Sequence, residues 1–155
     1  MLPSMWRPAS LPDDEAIVRM CLALDAEDPG PERVHGEQVR RTLETLRKEP
    51  WRGQALVLEL EGRPGGYALL VSFWSNELGG ETAAIDEIWV DPSLRGQGHA
   101  SRLVEALASG ALPVASGAVA LTLEITPGNS RARRLYERLG FRAGNQAMVL
   151  RLRRR

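Results

Sequence analysis

The segment from residue 90 to residue 101 has the residue types of a phosphate-binding turn. An apolar run ends here and is followed by Arg95, by Gly96 and Gly98, and then by the start of a predicted helix. Unpaired N–H groups at a helix N-terminus bind phosphate oxygens, and glycine lets the backbone come close to a ligand because it has no Cβ. Arg95 can add a charge-assisted contact, and the small Ala100 leaves room beside the first turn. The sequence therefore predicts a phosphate-bearing ligand at this turn.

Three classes of phosphate ligand fit such a turn to different degrees. A P-loop for nucleoside triphosphates has Lys-Ser or Lys-Thr after its last glycine, whereas His99-Ala100 stands here, so this class is excluded. A dinucleotide fingerprint can be read from Gly96, Gly98 and Ser101, but its third glycine is missing. The antiparallel meander predicted upstream also suits a βαβ nucleotide fold poorly. The third class is the pyrophosphate of coenzyme A.

Two motifs support coenzyme A through a family resemblance. The segment Arg95-Gly96-Gln97-Gly98-His99-Ala100 resembles the Arg/Gln-x-x-Gly-x-Gly/Ala signature of the GNAT superfamily of N-acetyltransferases. The preceding segment 87–92 resembles the family's strand that ends in Val-x-Pro, and segment 126–141 is similar to its second cofactor motif. The resemblance covers roughly residue 54 to the C-terminus, and it implies a GNAT fold, acetyl-CoA as cofactor and N-acetylation as the activity.

The resemblance also implies how the cofactor is held. Main-chain amides from Gly96 to Ser101 bind the pyrophosphate, the backbone of Ile88 and Val90 lines the pantetheine arm, Asn129 bonds that arm and Tyr136 faces the sulfur. The cofactor-binding residues expected in this way are Ile88, Val90, Arg95, Gly96, Gln97, Gly98, His99, Ala100, Ser101, Asn129, Ala132, Arg133 and Tyr136.

Helical spacing agrees with part of this set. Positions 129, 132, 133 and 136 fall on one face of a helix, and Leu135 and Leu139 fall on another face suited to the core. His99 departs from the family pattern, in which an apolar residue is more usual. Asn129 can alternatively serve as a helix N-cap.

The expected reaction needs a proton acceptor and a proton donor. An alkyl amine has a pKa near 10.4, so only about one molecule in a thousand is neutral at pH 7. Asp86 and Glu87 are adjacent on a predicted strand, so their side chains are expected on opposite faces. Glu87 is the favoured base and Asp86 the alternative, and both can instead be surface or salt-bridged carboxylates. Tyr136 is expected to protonate the departing thiolate, and its alternative is a core tyrosine.

Composition excludes several other classes of function. Lys plus Arg equals Asp plus Glu, at 20 residues each, so no nucleic-acid or membrane-surface partner is indicated. Cys21 is the only cysteine, so no intrachain disulfide can form, and its apolar neighbours suggest a small buried hydrophobe. No metal site is expected. No apolar run is long enough for a membrane span and no signal peptide is recognisable, so a cytoplasmic location is expected.

The elements that must position these residues follow from hydrophobic spacing and turn residues. The first half predicts, in order, a short strand at 5–9, a helix near 13–25, a loop at 25–31, a second helix ending before Pro50, and strands at 54–61, 67–74 and 82–90. The second half predicts a helix containing Leu103 and Leu107, an interior strand at 118–126, a helix at 129–139 ended by Gly140, and one or two strands at 141–153.

This order predicts a single α/β (α+β) domain spanning residues 1–155, with a GNAT-like mixed, mainly antiparallel sheet flanked by helices. The expected function is direct transfer of acetyl from acetyl-CoA to a primary amine of a small molecule or a protein. Segments 25–28 and 74–77 can border the amine pocket, and a homodimer is possible because the family often forms one. The alternatives are a non-catalytic acyl-CoA-binding sensor and a nucleotide-binding oxidoreductase, for which no nicotinamide site is recognisable.

Overall fold

Five strands form one sheet in the order β1-β2-β3-β4-β5, in a computed structural model that describes residues 5–145, 148 and 150–152. The elements are β1 (Met5–Pro8), α1 (Asp14–Glu27), α2 (Gly36–Lys48), β2 (Gly53–Leu60), β3 (Arg63–Ser75), β4 (Gly80–Val90), α3 (His99–Ala108), β5 (Ala120–Leu123) and α4 (Ser130–Arg138). Strands β1 to β4 are antiparallel, and β5 runs parallel to β4. The predicted fold class is confirmed.

The sheet separates two apolar cores because side chains alternate along each strand. On one face, helices α1 and α2 bury Ile17 and Leu43 against Val57 of β2. On the other face, Leu103 of α3 and Tyr136 of α4 pack against the strands. In the described residues, no helix is both long enough and apolar enough to cross a membrane.

Strands β4 and β5 pair over a short distance and then separate. Their register runs from Thr82 opposite Ala120 to Ile85 opposite Leu123 and ends there. Strand β4 continues to Val90, so within the part of the chain that the structure describes, the edge of β4 that faces β5 has no strand partner over residues 86–90. The gap opens at the strand segment that the motifs assign to the cofactor.

A β-bulge lies at the start of this gap. Leu69 of β3 faces Glu87, whereas Leu70 faces Ile85, so Asp86 is the extra residue. Ile85 and Ile88 consequently pack against the same core although they are three positions apart, an odd spacing that would place them on opposite faces of a regular strand. Asp86 and Glu87 were expected on opposite faces because side chains alternate along a regular strand. The bulge interrupts that alternation at Asp86.

The turn between β2 and β3 is shorter than predicted. It contains only Glu61 and Gly62, both with positive φ (49° and 76°), which is the geometry of a two-residue hairpin turn. Residues 63–66, predicted as turn because of their proline and glycines, belong to β3 instead. Gly66 is needed there for packing, since an added Cβ would lie 2.7 Å from the carbonyl oxygen of Trp89.

Other predicted elements shift at their ends. Helix α1 extends to Glu27, into the predicted loop. Strand β5 has four residues, all partly buried, and pairs only with β4 among the described residues, so the prediction of an interior strand is wrong within that range. The described residues between Phe141 and Leu152 are not in a strand, and residues 146, 147, 149 and 153–155 of the predicted closing strands lie outside the described residues.

Candidate cofactor cleft and acid–base residues

A cleft of about 850 Å³ occupies the gap between β4 and β5. Its walls are the end of β4, the β4–α3 turn, the β5–α4 turn, one side of α4 and the C-terminal end of α1. Of the thirteen residues predicted to bind cofactor, all but Gln97 and Arg133 line this cleft. The structure thus brings together two motifs that lie about thirty residues apart in the sequence.

The β4–α3 turn lines the cleft with two glycines among its residues. Gly96 and Gly98 have φ of 78° and 79°, a region that other residues rarely adopt, and Gly98 is the N-cap of α3. The turn is fixed at its start because the Ser93 N–H donates to Asp91 Oδ1 at 2.9 Å. This geometry fits a pyrophosphate held by main-chain amides, with no Cβ at either glycine to block its approach.

Arg95 is engaged within the protein rather than directed at a ligand. Its Nε donates to the Val90 carbonyl at 2.8 Å, and its Nη2 donates to both carboxylate oxygens of Glu27 at 2.8 and 3.0 Å. The guanidinium also stacks 5.7 Å from the ring centroid of Trp89. A phosphate contact from Arg95 therefore stays a prediction, and the observed role of this side chain is to join the end of β4 to α1.

His99 is buried at the start of α3. Its carbonyl accepts a hydrogen bond from Trp6 Nε1 at 2.9 Å, and Arg102 Nη2 lies 2.9 Å from its Nδ1. Because a guanidinium can only donate, Nδ1 is the acceptor and the ring proton is on Nε2. Nε2 has no hydrogen-bond partner among the described residues, and burial lowers the pKa of the ring. His99 is a neutral core residue here.

The β5–α4 turn is shaped by Asn129. Its Oδ1 accepts the Ala132 N–H at 3.1 Å, so the N-cap interpretation is correct, and its Nδ2 lies 3.5 Å from Asp28 Oδ2. An additional contact to pantetheine stays a prediction.

The face of α4 that lines the cleft differs from the face that was predicted to bind the cofactor. Arg133 does not line the cleft and instead lies 3.9 Å from Glu137. Leu135, predicted to face the core, lines the cleft, whereas Leu139 does pack on the core. Three arginines also line the cleft, namely Arg131, Arg134 and Arg138. The signal that could have identified them was the density of arginine in α4, which suits a phosphate-bearing ligand.

Tyr136 lies on the cleft wall with its ring anchored in the core. The side chain is 7% exposed, and its ring makes an edge-to-face contact with Phe141 at a centroid distance of 5.6 Å. Burial raises the pKa of the phenol, so the group keeps its proton at neutral pH. It can therefore act as a proton donor to a group bound in the cleft.

Glu87 does not line the cleft but lies on the α1 side of β4. Its Oε2 accepts hydrogen bonds from Tyr67 Oη at 3.0 Å and from Cys21 Sγ at 3.7 Å. Burial raises the pKa of this carboxyl, although the bond from Tyr67 acts in the opposite direction. Asp86 is more exposed and lies in the bulge, where burial of its carboxyl and the charge of Glu124 raise its pKa.

A pair of carboxylates at the end of α1, Glu27 and Asp28, joins both walls of the cleft; the sequence predicted segment 25–28 as a border of the amine pocket, but not these links between the walls. Glu27 accepts from Arg95 and, at 3.1 Å, from Trp89 Nε1 on the β4 side. Asp28 accepts from Thr126 Oγ1 at 2.9 Å on the β5 side. We refer to this pair as the α1 clasp. In the part of the chain that the structure describes, no group of three or more His, Cys, Asp or Glu residues is arranged to hold a metal ion.

Comparison with known proteins agrees with this geometry. Residues 19–141 match the acetyltransferase (GNAT) family. No curated protein sequence matches the chain. Among solved structures, a possible acetyltransferase from Clostridium difficile 630 aligns with a TM-score of 0.81 at 18% identity, covering 98% of this chain and 99% of that one.

Two further structures share the fold. A ribosomal-protein-alanine N-acetyltransferase from Brucella melitensis biovar Abortus 2308 aligns with a TM-score of 0.74 at 22% identity, covering 97% and 100% of the two chains. A protein described as a transcriptional regulator from Bacillus halodurans C-125 aligns with a TM-score of 0.78 at 23% identity, with the same coverage. At these identities the likeness establishes the fold alone.

Proposed function

The chain belongs to the acetyltransferase (GNAT) family, and on that premise we propose that it is an enzyme that transfers acetyl from acetyl-CoA to a primary amine. The observation that carries the proposal is the arrangement around the unpaired edge of β4. A turn with two glycines of positive φ lies at one end of this edge, Tyr136 lines the same cleft from α4, and Glu87 follows the bulge.

The described residues suit acetyl-CoA as the ligand of the cleft. The amides from Gly96 to Ser101 would hold its pyrophosphate, and the arginines of α4 add positive charge on the facing wall. Residues 86–89 of β4, whose β5-side edge has no strand partner among the described residues, offer strand-like hydrogen bonds to an amide-containing arm, whereas the Val90 carbonyl already accepts from Arg95. When bound, acetyl-CoA supplies the acetyl group as an activated thioester.

The surroundings of Glu87 and of Tyr136 suit them to the two proton transfers of the reaction. Glu87 receives the proton that the amine must lose, because its raised pKa makes the carboxylate a stronger base than an exposed one. The amine nitrogen bonds to the acetyl carbon as the carbon–sulfur bond breaks, and Tyr136 gives its proton to the departing thiolate. In this proposal the cofactor lies in the cleft on the Tyr136 side of the sheet, and the amine reaches the same strand from the α1 side, on which Glu87 lies.

A cationic acceptor is favoured by charge. Besides burial, the negative charge of Glu124 raises the pKa of Asp86, and the negative charges of Asp86 and Asp25 raise the pKa of Glu87. Carboxylates at such a site attract an ammonium group and can then accept its proton. We therefore propose a primary amine of a small molecule or a protein as acceptor.

The first experiment measures cofactor binding by calorimetric titration of acetyl-CoA. In Gly98→Val a β-branched residue is forced into left-handed backbone geometry at a strain of about 1–2 kcal/mol, and its side chain projects at the turn, so affinity should fall at least about tenfold. Gly62→Val is the matched control, because Gly62 has φ of 76°, no neighbour near an added Cβ, and a position outside the cleft. Equal affinity in wild type and Gly98→Val would contradict the proposed pyrophosphate site.

The second experiment is a screen of amines that reports release of free thiol from acetyl-CoA. Turnover of at least one amine is expected, and Tyr136→Phe should lower kcat by about 100-fold with little change in cofactor affinity. Because the phenyl ring keeps its contact with Phe141, stability should change little. Tight binding of acetyl-CoA without turnover of any amine would favour the alternative, a non-catalytic acyl-CoA sensor.

A further inference from the structure

We propose that Tyr67 and Cys21 are positioning residues for Glu87: they anchor one carboxylate oxygen and leave the other to receive the proton of the acceptor amine. The inference rests on the proposed function and goes beyond it, because it assigns a role to two buried side chains that touch neither the cleft nor the reacting atoms.

The geometry around the carboxylate is asymmetric. Both donors, Tyr67 Oη at 3.0 Å and Cys21 Sγ at 3.7 Å, bind the same oxygen, Oε2. Within the described part of the chain, Oε1 receives no hydrogen bond. The two donors come from different elements, β3 and α1, so they fix the carboxyl group from two directions. A carboxylate held through one oxygen keeps its orientation while the other oxygen is available to a substrate.

Both donors are suited to remain protonated. Tyr67 is fully buried and Cys21 nearly so. Burial raises the pKa of the Cys21 thiol to about 12 and moves the pKa of the Tyr67 phenol above its usual range. Both groups are therefore neutral donors at any pH at which the enzyme would work, and they stabilise the carboxylate without the strong attraction of a cation.

The charged and titratable groups that face Glu87 come from three elements. Tyr67 lies on β3, Cys21 and Asp25 lie on α1, and Asp86 precedes it on β4. Asp25 is itself paired with Arg33 at 3.1 Å. Among the described residues, Glu87 forms no salt bridge with Arg or Lys. The hydrogen bond from Tyr67 is the largest of the influences that lower the pKa of Glu87, so its removal should raise that pKa further.

The test compares pH profiles of kcat/KM for Tyr67→Phe, Cys21→Ala and Cys21→Ser with the wild type. In Tyr67→Phe the acid limb should move toward higher pH by about one unit, because Glu87 then holds its proton more tightly. The KM for acetyl-CoA should stay the same. Cys21→Ala should show a smaller shift in the same direction, and Cys21→Ser, which keeps a donor, should restore the wild-type limb.

A control separates positioning from general destabilisation. Ile17→Val removes one methylene from the same core as Tyr67 and should leave the acid limb in place. The inference is overturned if Tyr67→Phe is active with an unshifted limb, or if Ile17→Val shifts the limb as much as Tyr67→Phe does.

A second readout is independent of turnover. The titration of the Glu87 side-chain carboxyl carbon, followed by NMR in the isotope-labelled full chain, should give a higher pKa in Tyr67→Phe than in wild type. If the wild type acetylates no amine, the proposed function fails and this titration alone decides the role of Tyr67. An identical Glu87 pKa in the two proteins would overturn the inference whether or not the enzyme is active.

Discussion

Two largely buried carboxylates, Asp13 before α1 and Glu87 in β4, lie in opposite electrostatic surroundings. Asp13 accepts two parallel hydrogen bonds from Arg7, at 2.8 and 3.0 Å, together with the N–H and hydroxyl of Ser10. Among the described residues, Glu87 has only the neutral donors Tyr67 and Cys21. The guanidinium of Arg7 lowers the pKa of Asp13 to about 2, whereas burial raises the pKa of Glu87.

The difference indicates what each carboxylate can do. Asp13 is ionised under all ordinary conditions, and its four hydrogen bonds tie β1 to the turn before α1. Such a group stabilises the fold but has little tendency to accept a proton. Glu87 is held in place and yet retains affinity for a proton, which is the property required of a base. The absence of a cationic partner for Glu87 among the described residues therefore suits the role of base that we propose for it.

The largest expected effect comes from Glu87→Gln. We expect kcat to fall by about 100-fold or more, because an amide cannot accept the amine proton. The free energy of unfolding at pH 7 should not decrease, since a buried charge without a cationic partner is removed and Tyr67 can still donate to the amide oxygen. Thiol release and urea unfolding measure the two quantities. A loss of stability alongside unchanged kcat would reverse the roles assigned to the two carboxylates.

The second effect concerns Asp13→Ala. Removal of the carboxylate leaves Arg7 with only part of its hydrogen-bond partners, so we expect the unfolding free energy to decrease by about 2 kcal/mol. At a temperature at which the variant is folded, kcat should equal that of wild type. The exposed pair of Glu15 and Arg40 supplies the control, and Glu15→Ala should leave stability unchanged within error.

The smallest effect is the pH dependence of stability. The pKa of Asp13 is lowered from its ordinary value of 3.8 to about 2, so its contribution is complete above pH 3.8 and is lost as pH falls through 2. Glu87 has a raised pKa, so its contribution is complete below its ordinary value of 4.5 and is lost as pH rises through the folded-state value. Urea unfolding across this range should show Asp13→Ala converging on wild type in acid and Glu87→Gln gaining on it toward neutral pH.

Much of the fold and of the cleft could be predicted from the sequence because both depend on local patterns. Apolar residues at helical spacing located α1 and α2, and Gly98 marked the turn because its backbone geometry excludes most other residues. The cap at Asn129 was also recognisable, since a short polar side chain at a helix start has few other uses.

The remainder depends on contacts between distant segments. The bulge at Asp86 changes which face each later residue of β4 occupies, and nothing in the local sequence announces it. Arg95 pairs with Glu27, which lies 68 residues away along the chain, and Glu87 accepts from Cys21, which lies 66 residues away. Contacts between residues so far apart could not be predicted from local sequence patterns. Leu135 was misplaced because α4 packs through Tyr136 and Leu139 and turns Leu135 toward the cleft.

Through the α1 clasp, one helix connects the two walls of the cleft. At the N-terminal end of this helix, Asp13 is hydrogen-bonded to Arg7 of β1. At its C-terminal end, Glu27 accepts from Arg95 on one wall of the cleft and Asp28 accepts from Thr126 on the other. The two walls are thus linked through α1, which itself lines the cleft only at its C-terminal end, with Leu24, Glu27 and the adjoining Asp28. A change in the length or tilt of α1 would therefore widen or narrow the cleft even if every residue of the two sequence motifs stayed the same.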